Sequence, residues 1–92
     1  MDVYAQIAER IISQQETIIG PVAVERAMTV KGLALDWPNH TVTITGNEPA
    51  VIDHLVAQYK QLFGQISVEV CKEAVGRLSQ QLTPEQLPAS LR

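Results

Sequence analysis

Between Val3 and Ile19 the apolar side chains recur at steps of three and four. Val3, Tyr4, Ile7, Ala8, Ile11, Ile12, Ile18 and Ile19 form the stripe, with Gln6, Glu9, Arg10, Ser13 and Glu16 between them. That period predicts an amphipathic helix. Asp2 stands where an N-cap belongs, since its carboxylate can accept from an orphan amide. One position interrupts the stripe: Gln15 falls one helical step after Ile11, where another apolar residue is expected. Gly20-Pro21 ends the helix, because proline cannot continue the hydrogen-bond ladder, and the same proline suits the start of the next one. Val22 to about Thr29 reads as that short second helix, with Val24, Ala27 and Met28 on its inner side and Gly32 closing it.

The period then changes from the helical one to two. Leu33, Leu35 and Trp37 alternate with Ala34 and Asp36, and Val42 and Ile44 alternate with Thr41, Thr43 and Thr45. With Trp37-Pro38-Asn39-His40 as a four-residue turn, proline presets φ and asparagine tolerates the tight corner. Leu35 then faces Val42 and Leu33 faces Ile44 on one side, while Ala34–Thr43 and Asp36–Thr41 pair on the other. A single register thus yields one apolar face and one threonine-rich face, as a half-buried sheet requires.

Gly46-Asn47 breaks the second strand, and Asn47 can cap a further helix with Glu48 in its first turn. Val51, Ile52, Leu55, Val56, Tyr59, Leu62 and Phe63 make the cleanest amphipathic pattern in the chain, and Gly64 is its expected stop. The next stretch supports two readings. Ile66, Val68 and Val70 alternate like a strand, whereas Val70, Cys71, Ala74, Val75 and Leu78 repeat like a helix. A helix from about Ser67 to Gln80 is the favoured reading, and a third strand over 65–70 is the alternative. After Leu82 periodicity is lost around Pro84 and Pro88, which predicts a flexible C-terminal tail over 82–92 behind a single small domain over 1–81. The expected fold class is α+β: helix, short helix, two-stranded antiparallel hairpin, long helix, C-terminal helix.

Composition narrows the function classes. At 46% apolar and 18% charged residues the chain of 92 residues is globular, not disordered. Its net charge is −3, and no two of its seven Lys and Arg are adjacent, which disfavours a nucleic-acid partner. No apolar run approaches the roughly 20 residues of a bilayer span. A lone cysteine, Cys71, forbids an internal disulfide, and the N-terminal residues lack the features of a secretory signal, so the expected compartment is the cytoplasm.

The residue types that carry chemistry do not gather in the sequence. His40, His54 and Cys71 share no metal-ligand spacing, and the five glycines are too scattered for a phosphate loop. Asp53-His54 resembles an acid–imidazole pair, but neighbours on a helix do not face each other. Glu69 and Glu73 share a face that reads as a solvated one, and Cys71 reads as a small core hydrophobe. No residue is assigned a catalytic, cofactor-binding or metal-ligating role.

The expected function is a non-catalytic interaction or regulatory module acting through homodimerisation and a protein partner. A small-ligand-binding or enzyme-accessory domain, with its pocket formed in the assembly, is the alternative. A small enzyme using His54 or Cys71 ranks third. The expected interface comprises Ile7, Ile11, Gln15 and Ile18, because a two-stranded hairpin is too small to cover so wide a stripe and a buried Gln can fix the register of a helix pair. Pairing through the open hairpin edge is the competing route.

Overall fold

A computed structural model describes all residues from 1 to 92. It is an α+β fold built in chain order from α1 (Val3–Ile19), α2 (Val22–Ala27), β1 (Leu33–Asp36), β2 (Thr41–Ile44), α3 (Glu48–Phe63) and α4 (Gln65–Val75). Short 3-10 turns cover Trp37–Asn39, Gly76–Gln81 and Ala89–Leu91.

The local signals act where the sequence places them. The Asp2 carboxylate accepts from the Ala5 amide at 2.8 Å, and the Asn47 side chain accepts from the Ala50 amide at 3.1 Å. Each satisfies one N–H that the first turn of a helix leaves without a partner. The hairpin has the expected register: Leu33 pairs with Ile44, Ala34 with Thr43, Leu35 with Val42 and Asp36 with Thr41. Leu33 and Val42 are buried, while Ala34, Asp36, Thr41 and Thr43 face outward. At the base of the hairpin, Gly32 is held at φ +89°, and a Cβ there would sit 2.7 Å from the Thr45 carbonyl oxygen. Only glycine fits that close approach.

Three expectations need correction. The second helix ends at Ala27 and not near Thr29. The stretch after Gly64 is helix, so no third strand forms; it begins at Gln65 and stops at Val75, continuing only as 3-10 turns to Gln81. A strand would put Ile66, Val68 and Val70 on one face, but in the helix Val68 enters the core while Ile66 is left in solvent. The last segment is also no loose tail. Pro88 and Leu91 are buried, the Tyr4 hydroxyl donates to the Gln86 carbonyl at 2.8 Å, and the Ser90 amide donates to the Asp53 carboxylate at 2.9 Å. A radius of gyration of 11.6 Å fits this packing, since about 12 Å is usual for a compact chain of this length.

α1 lies at the centre. It packs against α2, β2, α3 and α4 together, which explains how so wide a stripe is covered within one chain. Ile7, Ile11 and Ile12 are fully buried, alongside Ile52, Leu55 and Tyr59 from α3. Tyr59 brings its hydroxyl into this core and donates it to the Ala23 carbonyl at 2.8 Å. A buried phenol must find such a partner, and this one ties α3 to α2. No helix is long and apolar enough to cross a membrane.

Candidate functional site

Of the four residues expected at an interface, three are internal to the monomer. Ile7 and Ile11 are core residues, and Gln15 is 2% exposed. The Gln15 side-chain amide donates to the Ser67 main-chain carbonyl at 3.2 Å and to Cys71 Sγ at 3.5 Å, so its partner is α4 of the same chain. Only Ile18 remains available, with 54% of its surface exposed.

Ile18 is not isolated. The last turn of α1, the end of α3 and the first turns of α4 converge at one corner, where they form an open cavity of about 400 Å³. Ile18, Ile19, Phe63, Ile66 and Val70 make its apolar walls, and the buried Gln15 and Ser67 form its base. Gly64 creates this corner. As the single residue between α3 and α4, at φ +79°, it turns the chain sharply while its neighbours Phe63 and Ile66 stay 45% and 71% exposed. The amphipathic pattern of α3 places Leu62 and Phe63 inside; both lie at the surface instead. No charged side chain lines the cavity.

Behind the base lies Cys71, fully buried. Burial pushes its thiol up to about 11, with the Gln15 donation pulling weakly the other way. A thiol so held is protonated at neutral pH and is a poor nucleophile.

A second cluster forms where α1 meets the hairpin turn. His40 Nδ1 lies 3.1 Å from Glu9 Oε2 and 3.2 Å from Ser13 Oγ, and Ser13 also donates to Glu9. The Trp37 indole stacks on the His40 ring at 4.2 Å and donates to the Glu16 carboxylate at 3.1 Å. Serine, histidine and carboxylate here do not form a relay. A relay needs the carboxylate on one ring nitrogen and the nucleophile on the other, whereas both partners meet the same Nδ1. The arrangement clasps the turn to α1 and holds His40 at φ +50°, a conformation few side chains adopt. Glu9, Ser13 and Glu16 share one polar helix face in the sequence, but nothing there shows that the hairpin turn folds onto it.

The remaining candidates are kept apart. Asp53 turns toward Ser90, leaving His54 exposed without it. Glu69 pairs with Lys72 at 3.8 Å on an exposed helix face. At the other end of the molecule, the carboxylates of Asp2 and Glu48 meet at the start of α1 and α3; their contact lowers Asp2 and raises Glu48 to about 7.

No known protein family, curated protein or solved structure matches the chain.

Proposed function

We propose that the chain is a non-catalytic interaction module that homodimerises through the corner formed by α1, α3 and α4, and in that form engages a protein partner. One observation carries this reading: an uncharged apolar cavity of about 400 Å³ lies directly beside Ile66, which is 71% exposed. A two-fold interface presents the same patch twice, so it must be self-complementary. A protruding side chain next to a cavity meets that demand, because each copy's Ile66 can fill the cavity of the other. The absence of charge in the lining also means that no like charges oppose each other across the axis.

The hairpin edge is the weaker route. The outward amide of Val42 is directed at Met1 Sδ, 3.3 Å away, so the start of the chain lies along β2. That position obstructs an incoming strand. A cytoplasmic setting is part of the proposal and rests on Cys71, a buried unpaired thiol that suits a reducing compartment.

Light scattering across a concentration series tests the reading. The unaltered protein is expected to be a dimer at high micromolar concentration, and Ile66→Asp a folded monomer by circular dichroism. A monomeric unaltered protein, or an Ile66→Asp variant that stays dimeric, overturns it.

A further inference from the structure

The opposite face of α4 borders a different groove. Where α3, α4 and the C-terminal segment meet, an open cavity of about 390 Å³ is rimmed by Lys60, Lys72 and Arg92. Each cation comes from a different element. The groove therefore gathers three of the chain's seven Lys and Arg but only one of its ten Asp and Glu, in a protein of net charge −3. That one acid, Asp53, is occupied: its Oδ1 accepts from the Ser90 amide at 2.9 Å and from the Ser90 hydroxyl at 2.6 Å. Arg92 donates Nε to the Leu87 carbonyl at 3.2 Å and Nη2 to the Glu85 carbonyl at 3.5 Å, so part of its guanidinium is spent on the C-terminal segment and the two lysines are the freer cations. Lys72 has only a loose, exposed contact of 3.8 Å with Glu69, and Lys60 has no acidic partner within ion-pair distance. Gln65 adds a neutral amide to the rim, while Val56, Ala57, Val68 and Ala89 supply apolar floor.

We infer that this groove binds a small organic dianion, with its two negative charges among Lys60, Lys72 and Arg92 and its short apolar body on the floor. The chemistry follows from the lining. A region of positive charge on an otherwise acidic surface focuses anions toward it. Guanidinium and ammonium donors together suit a phosphate monoester or a dicarboxylate. The volume lies within the range of small-molecule sites and is too small for a macromolecular chain to be enclosed. Such a ligand bridges α3, α4 and the last segment, so it adds a tie where the chain already relies on Asp53 and Ser90. This site is separate from the proposed dimer face, and either can fail without the other.

Nitrogen-15 NMR titration of the full chain tests the site, with phenyl phosphate and succinate as probes and phenol as the uncharged control. Saturable shifts are expected at residues 60, 65, 68, 72 and 89–90 with at least one of the two anions by roughly 10 mM. The anion that saturates first identifies the head group. Lys60→Gln/Lys72→Gln should weaken binding about fivefold or more, as expected for the loss of two exposed charge contacts. Lys31→Gln/Arg77→Gln removes the same net charge outside the groove and should change it less than about twofold. Neither anion saturating, phenol giving the same shifts, or the two double variants losing binding equally would each overturn the site.

Discussion

The amide of Gln15 reaches the main-chain carbonyl of Ser67 across the junction of α1 and α4, 3.2 Å away, inside the core of a single chain. A polar residue in an apolar stripe thus joins two helices of one molecule, and it needs no second copy to be satisfied. The bond is a neutral one, with a net worth of about 1 kcal/mol. Gln15→Met, which keeps the volume, is therefore expected to cost less than about 1.5 kcal/mol in urea denaturation. Gln15→Glu should cost clearly more, because it buries a charge with no cation beside it. Equal stability of the two variants would show that the site is open to water.

Cys71 should behave as a core residue in chemical labelling. Its thiol is fully buried and raised to about 11, so a thiol reagent at neutral pH should react slowly with the native protein and quickly once it is unfolded. Rapid native labelling would contradict the packing of α4 against α1.

Leu55 and Leu62 belong to the same helical stripe but differ in surroundings. Leu55 is fully buried and Leu62 is 36% exposed. Leu55→Ala is expected to cost about 2–5 kcal/mol, through lost burial and the cavity it leaves. Leu62→Ala should cost about 1 kcal/mol or less. The difference in denaturation midpoints between the two variants checks the rotation of α3.

The contact of Asp2 with Glu48 gives a definite sign to the pH dependence. Glu48 is raised from 4.5 to about 7, so over that interval the folded chain holds more of this proton than the unfolded chain, and stability falls as pH rises. Asp2 is lowered from 3.8, and its contribution is present above that value and lost as the solution becomes more acidic. Glu48→Gln should therefore flatten the decline in melting temperature from about pH 5 to about pH 8 and raise the melting temperature at the alkaline end. An unchanged slope would show that the two carboxylates do not share a proton.

Local features of the fold were legible because their signals are local. The hairpin register followed from a period of two on either side of one turn, and Asp2, Asn47 and Gly64 marked helix ends by chemistry that acts within a few residues. The fate of an apolar stripe is different, since it depends on which distant segment arrives to cover it. Ile7 and Ile11 looked like a surface awaiting a partner only because the sequence did not reveal that α4 packs beside them. Phe63 and Ile66 posed the converse problem: hydrophobic periodicity marks an apolar face without saying whether its own chain buries it. The clasp of Glu9, Ser13 and His40 and the pairing of Asp53 with Ser90 join residues 27 to 37 positions apart, beyond the reach of any motif.

The bond from the Tyr4 hydroxyl to the Gln86 carbonyl spans 82 positions of sequence with 2.8 Å of space. It makes the polypeptide nearly a closed ring, with its first helix and its last segment side by side. A contact of such sequence separation raises the contact order of the fold, a property that goes with slower folding. Such a ring can be sealed and reopened elsewhere. A short flexible linker joining residue 92 to residue 1, with a new opening at the exposed Gly46-Asn47 corner, should give a circular permutant that folds to the same core.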